Sequence, residues 1–117
     1  MPRIYILKTV YDRLQEQAAV LQREPRELLS AILEERATAL DRGNAHLARE
    51  MDRAPREEIC TVQATEMAWR VVGDLSLVLG LRVHSVATYL VQDALPVLSA
   101  LPNLPLPSWE GDERMPI

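Results

Sequence analysis

Ile59-Cys60-Thr61-Val62-Gln63-Ala64-Thr65-Glu66 is the stretch that decides how this chain is read. For six residues the side chains alternate. Cys60, Val62 and Ala64 fall on one face of a strand, and Thr61 and Gln63 on the other. Thr65 then offers a capping hydroxyl and Glu66 an acidic first turn, so a helix is predicted at once. Ala68, Val71, Val72, Leu75, Val78 and Leu79 give that helix one apolar face, and Gly80 is its expected stop. A further helix is predicted from about Val83, with Val86, Leu90, Val91, Ala94 and Leu95 inward and Pro96 bending its end.

Toward the N-terminus the same order occurs about 58 residues earlier. Ile4 and Ile6 alternate with Arg3, Tyr5 and Leu7. Thr9 is the expected cap of a helix whose face is Val10, Leu14, Ala18 and Leu21. Glu24-Pro25 is a break, with Pro25 suited to the first position of a new helix. Leu28, Leu29, Ile32, Leu33, Ala37 and Leu40 form its stripe, and Gly43 in Asp41-Arg42-Gly43-Asn44 is the expected stop. A strand this short cannot bury itself alone. Two such units can pair residues 3–7 with 59–64 and interlock four helices around one core. The expected fold is mainly α with a short two-stranded antiparallel β-ribbon. One chain would fold as its own pseudo-dimer of strand-helix-helix units.

The first unit covers 1–41 and the second 58–100. Residues 42–57 form a connector, polar except for Leu47 and Met51. His46 to Arg53 can make two helical turns before Pro55 ends them. Residues 101–117 form an acidic tail in which three prolines between Leu101 and Ser108 exclude a regular helix.

The chain has 117 residues, 48% of them apolar, enough for one domain or two small halves sharing a core. Its formal charge is −4. The tail holds three acidic groups against one basic, so the body is nearly neutral. Attraction by bulk charge alone is therefore not how this chain would meet a nucleic acid. A single cysteine, Cys60, excludes an intramolecular disulfide and fits a reducing cytosol, so a cytoplasmic location is expected. No apolar run reaches the length of a membrane span, and the first residues lack a signal-peptide layout. His46, His84 and Cys60 stand at no ligand spacing, so no metal is expected. There is no Gly-rich phosphate loop and no His-carboxylate cluster beside a nucleophile. The expectation is a protein that is not an enzyme and needs no cofactor.

The order and lengths of these elements resemble the ribbon-helix-helix (Arc- and methionine-repressor-like) family, in its tandem single-chain type. Cys60-Thr61-Val62-Gln63-Ala64 is similar to the family strand. Leu79-Gly80-Leu81-Arg82-Val83-His84-Ser85-Val86 is similar to its inter-helix turn, often written Gly-Leu-Ser-Arg-Ser-Glu-Leu. The first unit has Gln22-Arg23-Glu24-Pro25-Arg26-Glu27-Leu28 at that place. The resemblance covers roughly residues 3–40 and 58–98. It implies a ribbon lying in the major groove of double-stranded DNA, with outward side chains on base edges. Carried over by position, the base readers are Arg3, Tyr5, Thr61 and Gln63, and Leu7 also faces outward. The starts of the second helices are the implied phosphate clamps, with Arg26 in one unit and Arg82, His84 and Ser85 in the other. Further self-association on DNA is implied for a palindromic site, because the two halves differ.

Several residues depart from the family pattern. Tyr5 and Leu7 are untypical readers, and Glu24 and Glu27 set negative charge beside the first clamp. An alternative expectation is a protein-interaction module or antitoxin-like adaptor, using the ribbon face and Trp109 of the tail. Thr61 and Gln63 would then be a solvated ribbon face. Trp69, at the place matching Tyr11, caps the core edge or marks an interface. Cys60 reads as a small core residue. The arginines of 42–56 are matched by neighbouring acids, so a solvated face is their default reading.

Overall fold

Arg3–Leu7 forms strand β1, and its last residue is also the N-cap of helix α1, Lys8–Val20. The computed structural model describes residues 2–100; the tail 101–117 and its Trp109 lie outside the described residues. Because the strand runs into the helix with no residue to spare, the expected cap at Thr9 is corrected. Leu7 takes the extended cap backbone, and Thr9 is exposed in the first turn. Val10, Leu14 and Ala18 are buried as their spacing predicts.

Helix α1 ends on Gln22, the one non-glycine residue with positive φ among those described, at 57°. The Arg23 N–H donates to Ala18 O at 2.9 Å and the Gln22 N–H to Ala19 O at 3.2 Å. These are the bonds of a left-handed helix stop. Helix α2, Pro25–Glu35, follows with Pro25 in its first turn, and buries Leu28, Leu29, Ser30, Ile32 and Leu33.

The continuation of α2 to Gly43 is corrected. Arg36 leaves helical backbone at φ −108°, and Ala37–Ala39 makes one 3-10 turn. Leu40 is then extended and buried. Polar side chains hold this exit. The Arg36 guanidinium meets Asp93 at 2.6 Å, and the Asn44 amide donates to Ala39 O at 2.7 Å. Gly43 is no left-handed stop; its N–H donates to Asp41 Oδ1 at 2.8 Å.

The connector holds a short helix, α3, Ala45–Arg49, then 3-10 turns at Glu50–Arg53 and Arg56–Glu58. Its inward residues are Ala45 and Ala48; Leu47, an expected apolar exception, is 45% exposed. Helix α3 packs against the helix over Val83–Ala100, and small side chains let it sit close.

Strand β2, Ile59–Gln63, leads to helix α4, Glu66–Leu79. Thr65 caps α4 as expected, its hydroxyl accepting the Ala68 N–H at 3.1 Å. Gly80 stops the helix at φ 65°, with the Leu81 N–H on Ser76 O at 3.0 Å. Helix α5, Val83–Ala100, runs through Pro96. No single helix among the described residues is long and apolar enough to cross a membrane.

The strands pair antiparallel, with Arg3 opposite Gln63, Ile4 opposite Val62, Tyr5 opposite Thr61, Ile6 opposite Cys60 and Leu7 opposite Ile59. Ile4, Ile6 and Val62 face the core. Helix α5 packs on β1 and α1, and α2 packs on α4, so each stretch is completed by the other. Two hydrogen bonds pin the ribbon ends. The Leu7 N–H donates to Thr88 Oγ1, and the Thr65 N–H to Ser30 Oγ, both at 3.0 Å. Donors 7 and 65, and acceptors 30 and 88, both stand 58 residues apart. The left-handed stops at 22 and 80 share that spacing.

Candidate nucleic-acid interface

The pleat sends Arg3, Tyr5 and Thr61 outward, all exposed, and Gln63 half-buried beside them. The ribbon therefore collects the four expected readers on one face. Leu7 and Ile59 close that face at the other end, each half-buried. Cys60 is half-buried across from Ile6. Burial raises its thiol pKa, and the nearby Asp12 charge adds to this. Tyr11 is raised as well, first by burial and then by Cys60. Cys60 is thus a protonated thiol at neutral pH, in keeping with a packing role.

The two helix starts flank this face. At α2, Glu24 is an extended N-cap with no side-chain cap among the described residues, and Pro25 has no N–H. Arg26 Nη1 donates to Gln63 Oε1 at 3.1 Å. An expected clamp and an expected reader thus touch, which their spacing in the chain does not reveal. The hollow beside them, about 390 Å³, is lined by Tyr11, Glu24, Arg26, Thr61 and Gln63.

At α5 the surroundings differ. Asp52 Oδ1 accepts the Arg82 N–H at 3.2 Å and also the Ser85 hydroxyl. His84 Nε2 bonds to Met51 O at 2.8 Å, so that nitrogen carries the proton. His84 is 7% exposed and Ser85 fully buried. Two side chains expected at the second clamp are thus turned onto the connector, and Arg82 remains exposed. A hollow of about 580 Å³ lies there, lined by Tyr5, Arg56, Ile59, Thr61, Arg82 and Val83. Thr61 lines both hollows, so the ribbon runs between them.

Sequence reasoning missed Arg56 and Asp52. Both sat in a charge-balanced connector that reads as solvated. Asp52 precedes Arg82 by 30 residues, and no local pattern announces that pairing. Trp69 is 50% exposed, whereas Tyr11, its counterpart 58 residues earlier, is half-buried. The reading of Trp69 as a cap on the core edge is corrected accordingly. Among the described residues, no three His, Cys, Asp or Glu side chains gather as a metal site requires.

The ribbon face is a shallow surface, polar at Arg3, Thr61 and Gln63 and apolar at Leu7 and Ile59, with arginines on both flanks. Such a surface can hydrogen-bond to an extended polar partner along its length, with Arg26 and Arg82 meeting anionic groups to either side. No protein-family model, curated protein or solved structure matches the chain.

Proposed function

We propose that this chain is a tandem ribbon-helix-helix protein that binds double-stranded DNA in a sequence-specific way, as a small regulator of transcription or of plasmid or mobile-element maintenance. Its two strand-helix-helix stretches act as an intramolecular pseudo-dimer. In support, Ile4 and Val62 stand 58 residues apart and are also direct ribbon partners, as two residues on a dyad would be. The end pins and the left-handed stops obey the same spacing.

The observation that carries the DNA reading is the register. It aligns Arg3, Gln63, Tyr5 and Thr61 on one outward face, between helix starts bearing Arg26 and Arg82. A β-ribbon of this kind fits the major groove, where a Gln amide can bond adenine through two atoms. Few phosphates are within reach of these cations, so the salt dependence is modest.

Fluorescence anisotropy with the protein's own upstream DNA and a scrambled duplex, at two salt concentrations, tests this. Upstream DNA binds more tightly, and Gln63→Ala weakens binding by roughly 5- to 150-fold, the value of one good base contact. Absence of binding to either duplex at low salt sinks the proposal for the isolated chain.

A second reading rests on the exposed apolar side chains. Tyr5 is 52% exposed, Met67 60%, and Leu77 84%. These favour an interaction module or antitoxin-like adaptor, to be pursued by pull-down with and without residues 101–117 if DNA binding fails.

A further inference from the structure

We infer that the ribbon reads DNA in one direction, with its Arg3–Gln63 end on purine edges and its Leu7–Ile59 end on thymine methyl groups. The preferred site of one chain is then non-palindromic. This rests on the DNA-binding reading above and adds the class of sequence that is bound.

The first ground is the order of pairs along the ribbon. Arg3 faces Gln63 at one end, Tyr5 faces Thr61 in the middle, and Leu7 faces Ile59 at the other end. The end pairs are about 13 Å apart at the usual strand rise. That distance spans about four base pairs. One end offers guanidinium and amide, and the other offers only aliphatic carbon. In the major groove the partner of the first is a purine edge, with its N7 acceptor. The partner of the second is the thymine 5-methyl group.

The second ground is that the scaffold repeats and the reading face does not. By the 58-residue spacing, Arg3 corresponds to Thr61 and Tyr5 to Gln63. A reader of two equal half-sites would carry like side chains at those places. Buried counterparts do match in kind: Leu14 with Val72, Leu28 with Val86, and Leu33 with Val91.

The third ground is Arg26. Its bond to Gln63 Oε1 engages one lone pair of that oxygen and sets which way the amide points. The second lone pair and the two N–H donors of Gln63 remain for a base. Arg26 is thus a positioning residue for Gln63. Its counterpart by spacing, His84, is bonded to Met51 O and does not serve Tyr5 in this way. Arg56, Arg82 and Val83 flank the Ile59 side instead, giving that end a different backbone contact.

The test starts from a random-sequence duplex pool selected on the full chain. The enriched duplex is titrated by anisotropy with two base analogues. 7-Deazapurines remove the N7 acceptor, and deoxyuridine for thymidine removes only a methyl group. The expected result is a non-palindromic motif. Deazapurines lower affinity severalfold at one end only, and deoxyuridine does so at the other end only. Arg26→Ala reduces discrimination at the purine positions, and this loss disappears in a Gln63→Ala background. A plain phosphate clamp would instead weaken all sequences alike, whatever stands at 63. A motif palindromic within the span of one ribbon, analogue effects at both ends of that span, or Arg26→Ala and Gln63→Ala losses of discrimination that add up overturn the directional reading while DNA binding stands. An unenriched pool overturns both.

Discussion

The starts of α2 and α5 stand 58 residues apart, yet their surroundings differ. Both begin a helix that crosses to the other stretch, and both follow a left-handed stop. At α5 the connector folds over the start. Asp52 accepts the Arg82 N–H and the Ser85 hydroxyl, and Met51 O holds His84. At α2 Arg26 reaches Gln63 on the ribbon instead. Two helix starts that each follow a left-handed stop thus differ in what lies beside them. One start secures the fold, and the other faces outward. The difference comes from residues 42–57, which cannot cover two places at once.

If the stretches share one core, equivalent core cuts should have equivalent effects. Ile32→Ala in α2 and Leu90→Ala in α5 remove counterpart side chains, 5% and 0% exposed. Each should cost about 2–5 kcal/mol. Both should shift a single urea transition with an unchanged slope. A biphasic curve for either variant would break the comparison, since it would mean that one stretch melts alone.

The helix starts themselves should differ. Asp52→Ala removes an anionic cap and leaves the buried Ser85 hydroxyl without its acceptor, so it should cost about 1–2 kcal/mol. Glu24→Ala, where the side chain makes no cap bond, should stay within about 0.5 kcal/mol. Equal costs in urea melts would show that the connector does not hold α5 as its hydrogen bonds suggest.

Much of the scaffold was legible because it rests on periodicity. Alternation at Ile4, Ile6 and Val62 gave the strands and their inward face. Spacing gave Val10, Leu14 and Ala18, and Pro25 and Thr65 marked helix starts. The exit from α2 was not legible. The stripe through Ala37 and Leu40 suits a helix, and only the tertiary bonds of Arg36 and Asn44 show that the chain turns there. Nor was the inward face of the connector, since two alanines outrank a leucine only where a neighbouring helix comes close. At the candidate interface the outward side chains followed from the pleat. The burial of His84 and Ser85 did not, because it depends on Asp52 and Met51, more than 30 residues away.

The smallest contrast concerns the two helix stops. Gly80 adopts φ 65° with no Cβ to crowd the following carbonyl. Gln22 takes nearly the same angle, 57°, with a side chain that must bear the clash. For a residue with a Cβ this region costs about 1–2 kcal/mol. Glycine relieves that strain, but it also makes the unfolded chain more flexible, which takes back part of the gain. Gln22→Gly should therefore stabilise the protein by up to about 1 kcal/mol. Gly80→Gln should destabilise it by about 1 kcal/mol. Open space surrounds a Cβ built at Gly80, so the penalty is one of backbone and not of packing. Opposite signs in thermal melts would establish that both positions share one left-handed stop. A destabilised Gln22→Gly variant would mean that the glutamine side chain contributes more at its surface than its backbone strain costs.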